Sequence, residues 1–102
     1  MKKSEEEIEV ERAEAWVGDA VLALFVREWL LEEEGKINGA AFTRFTTNDF
    51  LRIFGNPTSV EAEIGRIYYK NGLQAGFDHI REKLLPLFEQ REKIRRRQLQ
   101  QG

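Results

Sequence analysis

The chain has 102 residues, 41% of them hydrophobic and 33% charged, and no cysteine; this is the size of one domain with a small core, and it excludes a disulfide framework or a thiolate metal site. Its net charge of −2 divides unevenly, as −7 over residues 1–34 and +5 over residues 35–102. No run of about twenty uncharged apolar residues exists to suggest a membrane partner, and the opening MKKSEEEIEVER lacks the apolar core of a signal peptide, so the cytoplasm is the expected compartment.

Behind an acidic segment at residues 1–10, Ser4 with Glu7 three positions on has the form of a capping box. It predicts a first helix running to about Glu34, with Gly35 as its stop. Inside it, EAWVGDAVLALFVREWLL (residues 14–31) is apolar at nearly every position, the pattern of a helix that other elements surround. Asp19 interrupts that stretch. An ionised carboxylate is costly there unless it is paired, hydrogen-bonded or bound to a metal, so either water reaches Asp19 or it has a function.

Residues 36–45 read as a loop, with at most a helical turn over Gly39–Phe45. Thr46 or Thr47 then caps a short helix ending at Phe54, before Gly55-Asn56-Pro57. Thr58 or Ser59 caps the next helix, Val60–Lys70, and Asn71-Gly72 signals a turn. A last long helix is expected from Leu73 to about Gln98, with Ile80, Leu84, Leu87 and Phe88 as its buried stripe. Pro86 should kink it by removing one backbone hydrogen bond. His79, the lone histidine, lies beside that stripe and reads as structural. No segment alternates at period two, so the expected fold class is all-α. The basic excess peaks at the end of this helix, residues 91–102, as REKIRRRQLQQG. Such a run attracts phosphate backbones through counterion release, or is simply a solvated helix end.

Two glycines stand where helices disfavour them. Gly18 and Gly65 each cost about 1 kcal/mol relative to alanine in a helix interior, which a close backbone approach offsets. The simplest inference is that two helices cross there, bringing Asp19 toward Glu61. Two carboxylates in a mostly apolar setting repel, and a divalent cation relieves the repulsion; Mg²⁺ commonly takes one or two carboxylates and keeps several waters. Spacing alone leaves open the alternative that these are unrelated acids on two wet faces.

The blocks GDAVLALFVREWLL and VEAEIGRIYYKNGLQAGFDHI resemble the two signature blocks of the ribonuclease III domain, and TNDFL (residues 47–51) is similar to the short block between them. The resemblance spans about residues 11–85 and implies an all-α, ribonuclease III-type endonuclease domain. The family sets four acids around a Mg²⁺ site, two in each block. Asp19 and Glu61 match one of each pair, while Ala15 and Thr58 occupy the other two positions. Glu14 projects about 140° around the helix from Asp19 and cannot stand in for the missing acid. The short Mini-III branch of the family shares Ala and Thr there, and its patterns are matched by AWVGDA and TSVEA.

This resemblance implies a homodimeric nuclease that cuts double-stranded RNA, typically ribosomal RNA precursors, with Mg²⁺ (Mn²⁺ able to substitute) held by Asp19 and Glu61 as the catalytic residues. Arg44, Arg52, Arg66 and Lys70 are the candidates to contact RNA, and Tyr68 is expected to pack near the site. Trp16, Phe25 and Trp29 are the candidates for the dimer interface, the alternative being that some of them are core. The chain departs from the family in one respect: only Gly55-Asn56-Pro57 stands where the family inserts helices and a loop that grip RNA. The alternative is therefore a ribonuclease III fold impaired in catalysis, serving as an RNA-binding or ribosome-associated module.

Overall fold

The computed structural model describes residues 3–101, in which six α-helices follow one another: α1 (Glu5–Glu34), α2 (Gly39–Thr46), α3 (Asn48–Leu51), α4 (Pro57–Asn71), α5 (Leu73–Lys83) and α6 (Leu85–Gln101), with a single 3₁₀ turn at Arg52–Phe54. The all-α expectation holds, and no described helix is long and apolar enough to cross a membrane.

Local chemistry explains the helix ends. Ser4 Oγ accepts the Glu7 N–H while Glu7 Oε1 reaches back to the Ser4 N–H, completing the capping box. At the other end Gly35 takes a left-handed conformation (φ 69°) and donates its N–H to the Leu31 carbonyl. Of the expected loop at 36–45, residues 36–38 form the connection, while the helical turn anticipated over Gly39–Phe45 is a full helix. Asn38 Oδ1 accepts the Ala41 N–H at 2.9 Å, its amide is held by the Glu34 carboxylate, and Ala41 and Phe45 turn into the core. Thr47 caps α3 as expected. The cap of α4 falls earlier than the sequence suggests: Asn56 Oδ1 accepts the Ser59 N–H at 3.2 Å, and Pro57 sits at the first helical position, where its missing N–H costs nothing. The expected single terminal helix breaks at Leu84, two residues before Pro86, whose missing N–H leaves the Glu82 carbonyl without its helical donor.

The helices enclose one core. Leu22, Phe25, Val26, Phe45, Leu51, Ile64 and Ile80 are fully buried. Aromatic edges organise the end nearest α6, where the Phe45 ring lies 4.4 Å from Phe88 and 5.4 Å from Phe50, and Trp29 meets Phe88 edge-on at 6.0 Å. Of the expected interface residues, Phe25 thus belongs to the chain's own interior and Trp29 is partly buried against it. Phe25 is 2% exposed and packs on Phe77, and Trp29 packs against the core cluster. Within the chain α1 buries one face, through Ala15, Gly18, Val21, Leu22, Phe25, Val26 and Leu30. The outer face leaves Trp16 81%, Leu24 40% and Leu31 48% exposed.

Candidate functional site at the crossing of two helices

Helices α1 and α4 touch backbone to backbone, and the two glycines are the reason they can. A Cβ placed on Gly18 would lie 1.7 Å from the Glu61 carbonyl oxygen, and one on Gly65 would lie 2.0 Å from the Glu14 carbonyl oxygen. Each glycine thus sits against the other helix's backbone, and any side chain would part them. This bears out the crossing inferred from the sequence.

The crossing fixes the acids. Asp19 follows Gly18 on the exposed flank of α1, while Glu61, half-buried, stands in the first part of α4. Their carboxyl groups lie within hydrogen-bonding reach of one another. The Glu61 carboxyl is pushed up to about 8, chiefly by burial, then by its hydrogen bond to Asp19 and by the Asp19 charge. Near neutral pH Glu61 therefore keeps its proton. Water reaches the pair from the Asp19 side, which answers how a carboxylate is tolerated in so apolar a helix. No group of three or more His, Cys, Asp or Glu side chains converges among the described residues, so the pair stands alone. Ala15 is buried, and Thr58 lies half-buried in the first turn of α4.

The candidate RNA-contacting arginines have other partners. Arg44 forms a two-pronged bond to Glu92, Nε to Oε2 at 3.0 Å and NH2 to Oε1 at 2.8 Å. Arg66 does the same with Glu14, at 3.1 and 3.0 Å. Arg52 reaches Asp49 at 3.3 Å. The forked pairs of Arg44 and Arg66 hold the planar guanidinium against a carboxylate, whereas the single Arg52–Asp49 contact is exposed and weak, and Lys70 has no ion pair among the described residues. The Arg66–Glu14 bond also ties α4 to α1 beside the glycine crossing and accounts for Glu14, which stays clear of Asp19.

Tyr68 packs against the core and its ring lies 5.5 Å from that of Tyr69. His79 is half-buried on α5. The outward cations of α6 could have been weighed more heavily from sequence alone, because Glu92 is the last acid in the chain and four cations follow it. No protein-family model, no curated protein and no solved structure matches the chain.

Proposed function

We propose that this chain is a Mg²⁺-dependent endoribonuclease of the ribonuclease III type, acting on double-stranded RNA as a cytoplasmic homodimer, with Asp19 and Glu61 as its catalytic, metal-holding residues. The observation that carries this reading is the pairing of two carboxyl groups, across different helices, at a backbone contact that depends on Gly18 and Gly65. Burial and the Asp19 charge both disfavour ionised Glu61, a cost that a bound cation would relieve.

The donor set fits a hard divalent cation: two carboxylates on a surface open to water match the way Mg²⁺ takes few protein ligands and keeps its remaining waters. When bound, such an ion polarises the scissile phosphate and lowers the pKa of the attacking water. The chain's own contribution is positional. Gly18 and Gly65 set the spacing of the two acids, Arg66 and Glu14 brace the helices beside them, and Glu61 must give up its proton before both oxygens can act as ligands. The open approach to Asp19 suits a duplex, whose phosphates cannot enter a closed pocket.

The dimer part of the reading is supported by the outer face of α1. Trp16, Ala20, Leu24 and Leu31 recur there at helical spacing and are exposed, an apolar stripe that a second copy of the same helix would cover. The impaired-scaffold reading is favoured by a different observation, the lack of a third acid beside the pair.

Cleavage of a plain RNA duplex with Mg²⁺, with Mn²⁺ and with chelator, beside Asp19→Asn and Glu61→Gln, separates the two. Metal-dependent cutting that both substitutions abolish is the expected result. Duplex binding without cutting, unchanged by Glu61→Gln, would assign the scaffold role, and failure to bind duplex RNA would remove both readings.

A further inference from the structure

With Arg44 and Arg66 paired to carboxylates, the largest concentration of positive charge without an ion pair among the described residues is on α6. Arg91, Lys93, Arg95, Arg96 and Arg97 lie on this one helix, and none has an ion-pair partner among the described residues. Of the two α6 acids, Glu92 is held by Arg44 and Glu89 stands alone at the base of the helix, against five cations.

The helix is anchored at its base and free beyond it. Leu85 and Phe88 are 4% and 2% exposed, whereas every residue from Lys93 to Gln100 is exposed. At about 1.5 Å per residue that outer part extends roughly 12 Å, in a molecule 50 Å along its longest axis. Where the arm leaves the body, a groove of about 520 Å³ opens between α6 and the α2–α3 corner, with Phe50, Phe88 and Ile94 as its apolar lining, the paired Arg44 and Glu92 on one side, and Arg91 and Arg95 along its α6 wall. Arg91 and Arg95, four residues apart, face the same way, into this groove. Asp49 also lines the groove, with Arg52 as its partner.

The arrangement of charges selects the kind of partner. A helix that lies on a membrane gathers its apolar side chains on one face. Here Ile94 and Leu99, 45% and 64% exposed, project about 140° apart at ~3.6 residues per turn, and cations occupy every side of the helix between them. A cation-studded rod without an apolar stripe suits a polyanion whose charges follow a groove. The base of the arm meets Trp29 through Phe88, about 15 Å along α1 from Asp19 at ~1.5 Å per residue.

We propose that the outer turns of α6, through Arg91, Lys93, Arg95, Arg96 and Arg97, form the arm that grips the phosphate backbone of the duplex while the α1–α4 crossing presents Asp19 and Glu61 to it. This inference rests on the ribonuclease reading above and assigns an RNA contact beyond those of Arg44 and Arg66, whose guanidinium groups are already paired.

The test is the salt dependence of binding to a labelled RNA duplex, in Mg²⁺-free buffer from about 50 to about 200 mM KCl. The full chain is compared with an Arg95→Gln, Arg96→Gln, Arg97→Gln triple variant and with the same three positions changed to lysine. Each lost phosphate contact removes about 0.9 from the slope of log K against log salt, so the glutamine triple should bind with a slope shallower by about 2 to 3, and the lysine triple should keep the slope of the parent. All three positions are exposed, and circular dichroism checks that the fold is retained; if it is not, Arg91→Gln with Lys93→Gln supplies the same readout. A glutamine triple with the parent's affinity and slope overturns the arm and leaves the nuclease reading intact. A parent chain that ignores duplex RNA, or binds only anionic lipid vesicles, overturns both.

Discussion

Replacing Gly18 with alanine sets two energies of opposite sign against each other. Helix propensity alone favours the change by about 1 kcal/mol. The tertiary structure opposes it: the new methyl group would lie 1.7 Å from the Glu61 carbonyl oxygen, 2.7 Å from its carbon and 2.9 Å from the Gly65 nitrogen. Carbon contacts relax only beyond about 3.5 Å, so α1 and α4 must part by roughly 2 Å. The opposing atoms are backbone and cannot rotate aside, which puts the cost at or above the top of the usual overpacking range of about 1–3 kcal/mol. A net destabilisation of about 3 kcal/mol lowers the melting temperature by about 12–24 °C for a domain of this size. Gly65→Ala should act alike, since its methyl group would meet the Glu14 carbonyl at 2.0 Å. The double variant should lose less than the sum, because one separation accommodates both methyl groups. Thermal and urea melts followed by circular dichroism measure all three. An unchanged or raised melting temperature in either single variant would show that the helices do not meet at these glycines, and the placement of Asp19 beside Glu61 would fall with it.

Two further outcomes follow from the same geometry. Glu61 holds its proton to about pH 8 in the folded chain, whereas the unfolded chain releases it near the ordinary glutamate value. Between these values the folded state binds more protons, so stability should fall as pH rises through that window and level off above it. Because Glu61 is only half-buried, solvent screening cuts this to about 1–2 kcal/mol. Urea denaturation across the window should show the decline in the parent and its loss in Glu61→Gln, and parallel profiles would mean that Glu61 carries no such shift. Trp16→Glu, at a position 81% exposed, should leave the helical content of the subunit intact while converting dimer to monomer in sedimentation. A mass unchanged by the substitution would separate the apolar stripe of α1 from any self-association.

What the sequence determined by itself is what acts over a few residues. Ser4 with Glu7, Gly35 and Thr47 cap their own helices through bonds to backbone groups three or four positions away, and Pro86 breaks its helix by a donor it does not possess. Gly18 and Gly65 were legible for a related reason: their cost is local even though its compensation is distant, so the sequence announced a crossing and the structure supplied the partner. The helicity of residues 39–46 was less visible, because its cap, Asn38, is itself oriented by Glu34 across the turn.

Only the tertiary structure could decide the rest. Arg44 and Arg66 find their carboxylates 48 and 52 residues away, a distance at which no spacing rule distinguishes a bound arginine from a free one. Phe25, Trp29 and Trp16 are equally apolar on paper. Their division into core and surface depends on which side of α1 the remaining helices occupy, and packing sets that by excluding water from one face alone. The proton held at Glu61 has the same origin, since its cause is the approach of a second helix rather than anything in the chain beside it.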